Sequence, residues 1–127
     1  MQEITLSIQN FSKAVEKLNK GVDSVQDELD IDGVIQRFEF TFELFWKTLK
    51  LIMHHDGISC QSPRSCIKEG HRHGYIDDGE LFLDMLADRN MTTHLYDESR
   101  TRDIYQRIKN QYVTALDKAQ QQFKAKS

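Results

Sequence analysis

A single proline, Pro63, in 127 residues is the feature that most narrows what this chain can fold into. Proline interrupts helices, and a sandwich or barrel needs turn formers every few residues. With only six glycines besides, the chain has room for long helices and little of the punctuation that a β architecture demands. The length predicts one domain, residues 1–127, sufficient to bury a single core.

Apolar periodicity then places the helices. Ile4, Ile8, Phe11, Val15, Leu18 and Val22 recur at steps of four, three, four, three and four. That is one stripe of an amphipathic helix ending between Gly21 and Ser24, with Lys13, Glu16, Lys17 and Lys20 on its solvated face. A second helix is predicted from about Asp32 to His55, its stripe marked by Val34, Ile35, Phe38, Phe42, Phe45, Leu49 and Ile52. Phe40, Leu44 and Leu51 lie off that stripe. A helix apolar on more than one side is central in its bundle or also buried against another subunit. Phe38, Phe40 and Phe42 alternate as a strand would, but Leu44, Phe45, Trp46 and Leu49 restore the helical step, and length decides for helix.

His54, His55, Asp56 and Gly57 form a helix end, with Gly57 free to turn left-handed. Ser62 and Pro63 open a short helix that runs through Ile67 and stops near Gly70 or Gly74. Asp77, Asp78 and Glu80 suit the start of a further helix, lined by Leu81, Phe82, Met85 and Leu86 and continuing to about His94. The last helix begins at Asp97 or Ser99 and carries Ile104, Ile108, Tyr112, Leu116, Ala119 and Phe123. More than about 60% of the chain is thus expected in helix, with no strand. Short connections favour antiparallel neighbours, so the expected fold is all-α, an up-and-down antiparallel four-helix bundle with one extra short connecting helix.

Apolar content of 39%, charged content of 29% and a formal net charge of −3 are those of an ordinary globular chain. The acidic balance removes any whole-protein positive field and argues against DNA as a partner. No apolar run approaches a membrane span, and the first residues lack a basic start followed by an apolar stretch. The expected compartment is the cytoplasm, where Cys60 and Cys66 would stay reduced.

Sites that carry chemistry are few. A di-iron bundle needs Glu-x-x-His pairs on facing helices, and none exists. Cys60, Cys66, His71 and His73 lack zinc spacing, and a loop and short helix with buried Cys66 and exposed histidines is the favoured reading. No metal site and no cofactor is expected. The basic run Arg64, Lys68, His71, Arg72 and His73 can recruit phosphate or simply form a solvated helix face. The acidic run Asp77, Asp78, Glu80, Asp84 and Asp88 balances it.

The segment LADRNMTTHLYDE, residues 86–98, stands apart. On a continuous helix Asn90 and His94, four apart, share a face, and Arg89 and Tyr96, seven apart, share a neighbouring line. Arginine supplies a permanent forked cation for phosphate, and histidine exchanges protons near neutral pH. The plainer alternative is that Arg89 pairs with an acid such as Asp88 or Glu39 and that His94 is a half-buried helix end.

Arg89-Asn90, three residues, His94, one residue and Tyr96 resemble the arginine–histidine signature of HEPN proteins. The flanking blocks are RFEFTFELFWKTLK at 37–50, SPRSCIKEGHRHGYID at 62–77 and DGELFLDMLADRNMTTHLYDE at 78–98. In that order they resemble the nucleotidyltransferase substrate-binding family over nearly the whole chain. The resemblance implies a homodimeric helical bundle that works beside a separate minimal nucleotidyltransferase and helps form the acceptor pocket. Arg64, Lys68, Arg72, Arg89 and His94 are then its candidate substrate-binding residues. Other HEPN proteins are metal-independent RNase toxins. On that reading His94 assists deprotonation of a ribose 2′-hydroxyl, Arg89 stabilises the phosphorane, Asn90 positions phosphate or His94, and Tyr96 is where a partner attaches AMP. A third alternative is a purely structural interaction bundle. RNA or a nucleotide is the expected ligand of the first two.

Overall fold

Long stripes produce long helices. In the computed structural model, which describes residues 2–94 and 97–126, α1 (Gln2–Asp23) buries Ile8, Phe11, Val15 and Leu18. The second helix, α2 (Glu28–His55), starts a turn earlier than Asp32 because Asp27 caps it, its carboxylate accepting the Asp30 N–H at 2.9 Å. Its end is where the glycine signal put it, Gly57 standing at φ +88°. In α3 (Pro63–Arg72), Ser62 and Ser65 form a reciprocal cap and Pro63 occupies the first turn. Asp78 caps α4 (Gly79–Met91), whose expected last turn tightens into a 3₁₀ turn over Thr92–His94. Asp97 caps α5 (Glu98–Arg107), which runs through a π-helical segment (Ile108–Tyr112) into α6 (Val113–Lys126). The described residues are 85% helical.

That π segment answers a feature of the stripe. Ile104, Ile108, Tyr112 and Leu116 are spaced by four three times running, and each such step over-rotates an ideal α-helix by about 40°. A wider π turn, closed here by Val113 N–H donating to the Ile108 carbonyl, resets the phase. All four side chains are consequently buried.

Cross-helix contacts fix the directions. Ser7 meets Thr48 at 2.6 Å, Thr41 Oγ1 donates to the Ala14 carbonyl at 3.3 Å, and Arg37 donates to the Lys17 carbonyl at 2.8 Å, so α1 and α2 are antiparallel. Ser12 donates to Gln120 at 2.9 Å while Phe11 meets Phe123, in keeping with α6 antiparallel to α1. Asp88 pairs with Arg107 and Asp77 with Lys118, which sets α4 antiparallel to the α5–α6 rod. Contacts of Glu28 with Arg102, Phe38 with Tyr112 and Phe45 with Phe123 show that α2 and the rod run parallel, as a diagonal pair must. The four long elements therefore alternate in direction, giving the expected up-and-down bundle with α3 as its short connector.

Phe45 is the hub of the core. Its ring stacks on Phe82 at 4.4 Å and lies 5.9 Å from each of Phe11, Phe42 and Phe123, so one side chain ties α1, α2, α4 and α6 together. At the other end of the packing, Gly70 sits where a Cβ would come within 2.9 Å of Leu49, which lets α3 lie close on α2. Tyr75 donates to Asp56 at 2.5 Å and pins the α3–α4 loop to the end of α2. Burial, then the Asp56 carboxylate, push its hydroxyl up to about 12, so it remains a donor.

The expectation of reduced cysteines is corrected. Cys60 and Cys66 are joined as a disulfide. The cap at Ser62 folds the chain back on itself and brings their Cα atoms to 5.0 Å, within bridging range. No described helix is long and apolar enough to cross a membrane.

Candidate functional site

Consecutive helical residues point about 100° apart, and at the end of α4 this sends neighbouring side chains to different partners. Asp88 turns to the rod. It accepts from Arg107 Nε at 2.7 Å and Nη2 at 2.8 Å, and from the Tyr112 hydroxyl at 2.5 Å. Burial, then the Asp88 carboxylate, hold Tyr112 well above its ordinary value, so its proton stays in the bond. The π segment that buries Tyr112 thus also clamps the last turn of α4.

Arg89 turns to α2 instead. Its Nη2 donates to Glu43 Oε2 at 2.6 Å, and its Nη1 donates to Asn90 Oδ1 at 3.2 Å. Lys47 Nζ lies 3.3 Å from the other Glu43 oxygen. Trp46 lies three residues on from Glu43 in α2, and its indole N–H is buried with no hydrogen-bond partner among the described residues. Partial burial pushes the Glu43 carboxyl up. The donors Trp46 and Lys47 and the charges of Arg89 and Lys47 outweigh it, holding the group below the usual carboxylate range. Glu43, Arg89 and Asn90 wall a groove of about 580 Å³ completed by Gln36, Glu39, Phe40 and Thr93. Phe40 is 62% exposed there, and a wider groove of about 930 Å³ lies on its other side, between α1 and α2.

The sequence-derived candidates separate in space. Arg89 and Asn90 share the groove; Arg89 pairs with Glu43 rather than with Asp88 or Glu39. His94 is exposed on the 3₁₀ turn, outside the groove lining. On a continuous α-helix it would sit about 40° from Asn90, but three 3₁₀ steps of about 120° carry it to about 100°. Tyr96 lies outside the described residues. Arg64, Lys68 and Arg72 are exposed on α3, which packs against the start of α4, about 15 Å along that helix from Arg89. Periodicity did not single out Glu43. Its signal is the run Gln36, Glu39, Phe40, Glu43, an outward line at helical spacing whose partner helix a sequence cannot name.

A family model described as nucleotidyltransferase substrate binding protein like matches residues 6–125. The chain belongs to this family. A Haemophilus influenzae (strain Rd) protein named probable ribonuclease HepT is 34% identical over 89 residues, 66% of this chain and 60% of that protein, so the likeness stops short of two thirds of its length. A Thermus thermophilus protein of known crystal structure superposes with a TM-score of 0.77 at 29% identity, covering 91% of this chain and 96% of that one. A second structure, from Haemophilus influenzae and described as revealing the fold of a substrate-binding domain of a nucleotidyltransferase, gives a TM-score of 0.69 at 21% identity over 97% and 98% of the two chains. At that identity the second likeness is one of fold. The nucleotidyltransferase substrate-binding family therefore accounts for nearly the whole chain, groove included.

Proposed function

We propose that this chain is the non-catalytic, acceptor-binding subunit of a two-component system, the catalytic part being a separate minimal nucleotidyltransferase. One observation carries the reading. Arg89, Asn90, Phe40 and two carboxylates converge on an open groove, while His94, the proton-transfer group a self-sufficient nuclease would need there, stands outside it. Such a groove can hold a polar acceptor by one aromatic face, a fork of donors and two acceptor groups. The test is to co-purify the chain with the product of any neighbouring reading frame that reads as a minimal nucleotidyltransferase and supply labelled nucleoside triphosphate. Label is expected on a small acceptor bound with this chain. Failure to form a complex, or label found only on this chain, would count against the reading.

The ribonuclease reading is favoured by a different observation, the name of the 34% identical relative. There Arg89, Asn90 and His94 would act on RNA and Tyr96 would accept AMP from the partner as the off-switch. Label on Tyr96 in the same experiment supports it.

The working form is proposed to be a homodimer. Leu29, Gly33, Gln36 and Phe40 follow one outward line of α2 at steps of four, three and four, and Leu29 is 77% exposed. A second copy across this line would hide both apolar side chains and turn the groove into a shared cleft. Phe40→Asp is expected to leave a folded monomer at concentrations of about tens of micromolar, where the wild type sediments as a dimer. Sedimentation of the wild type as a monomer would sink the idea.

A further inference from the structure

We propose that Glu43 is the positioning residue of the Arg89 site, a role that rests on the reading of Arg89 as the group that meets a phosphate. Glu43 belongs to none of the signature residues at 89–96 and sits on a different helix. Even so, it is the strongest partner Arg89 has, at 2.6 Å with the ion pair about a third exposed on each side. Its own carboxylate is held from its own helix, Lys47 one turn on lying 3.3 Å from the oxygen that Arg89 does not use.

Trp46 supplies the second, independent sign. Its indole N–H is buried with no hydrogen bond among the described residues, and a buried donor left unmet is disfavoured unless something compensates. Glu43 stands three residues earlier on the same helix, and this donor favours its charged form. The carboxylate is thus supported on one side by Trp46 and Lys47 and spends its other side on the guanidinium. Asn90 Oδ1 then holds Nη1 at 3.2 Å, so the fork is gripped at two points.

A guanidinium offers five N–H donors in a fixed plane. Two are engaged here, one by Glu43 and one by Asn90, which leaves three for an oxyanion entering the groove. Without Glu43 the long side chain of Arg89 would swing freely at the surface, and binding would first have to order it. The ion pair does that ordering in advance. It also partly neutralises Arg89, so the site selects ligands that present several oxygens to the remaining donors over a bare monovalent anion.

The experiment uses the full chain and AMP as the probe, with binding followed by calorimetry and the resonance of the Arg89 Nη2–H donor that Glu43 holds followed by NMR. In the wild type that resonance should be resolved and protected from exchange. Glu43→Gln, which keeps the shape and removes the charge, is expected to broaden it beyond detection and weaken AMP binding about tenfold, with the melting temperature unmoved. Arg89→Ala should abolish binding, and adding Glu43→Gln to it should change nothing further. If Arg89→Ala abolishes binding but Glu43→Gln binds as the wild type or tighter, the positioning role is overturned while the phosphate reading stands. If Arg89→Ala leaves AMP binding intact, the phosphate reading fails, and the resonance still decides the positioning role: its loss in Glu43→Gln supports the role, its retention overturns it.

Discussion

Phe45→Ala is expected to destabilise the bundle by about 3–5 kcal/mol, the range for removing a large aromatic ring from a packed core. Phe45 has no exposed surface and its ring contacts Phe11, Phe42, Phe82 and Phe123, so the void would open where α1, α2, α4 and α6 meet. Aromatic pairs add to the simple loss of buried area. Domains of this size have only about 5–15 kcal/mol in total, so the variant should sit close to the unfolding threshold at 25 °C. Urea denaturation followed by circular dichroism measures the change. Phe40→Ala, five residues earlier in the same aromatic run, is the internal control, because its ring is mostly exposed and the monomer should lose less than about 0.5 kcal/mol. Equal losses for the two variants would refute the assignment of the core to the Phe45 side of α2.

The second large effect is functional. Arg89→Ala should cut acceptor labelling by the partner nucleotidyltransferase by about tenfold to a hundredfold, the worth of a charge-assisted hydrogen bond, while thermal unfolding changes little. Its side chain is a third exposed, whereas the neighbouring Asp88 carries the structural clamp to Arg107 and Tyr112. His94→Ala separates the two readings of the family. An acceptor-binding subunit should tolerate it, since His94 stands outside the groove; a ribonuclease should lose about a hundredfold to ten-thousandfold in rate with its proton-transfer group. Tyr96→Phe adds a cellular readout: a ribonuclease toxin would stay active and escape its partner, while a binding subunit would show no toxicity. Unfolding of the Arg89→Ala and His94→Ala proteins, with no change in labelling or RNA cleavage, would make the cluster structural.

The long helices, their caps and the aromatic core were legible in the residues themselves, because helix formation is local and its evidence repeats every three or four positions. Ser62-Pro63, Asp97 and Gly57 act where they were expected to act, and Phe38, Phe42 and Phe45 face inward as their spacing requires. Even the π segment left a trace, in three successive steps of four along the last stripe. Packing of remote segments decided what local spacing could not. The Asp88 clamp to the rod leaves Arg89 facing α2, where Glu43 rather than Asp88 or Glu39 receives it. Tightening of the last turn of α4 takes His94 off the face of Asn90, and the fold-back at Ser62 brings Cys60 onto Cys66. A hydrophobic stripe states only that a face is buried. Which helix covers it, at what register and with which polar residues meeting at the rim is set by the mutual fit of side chains far apart in the chain, and the Glu43–Arg89 pair is a product of that fit.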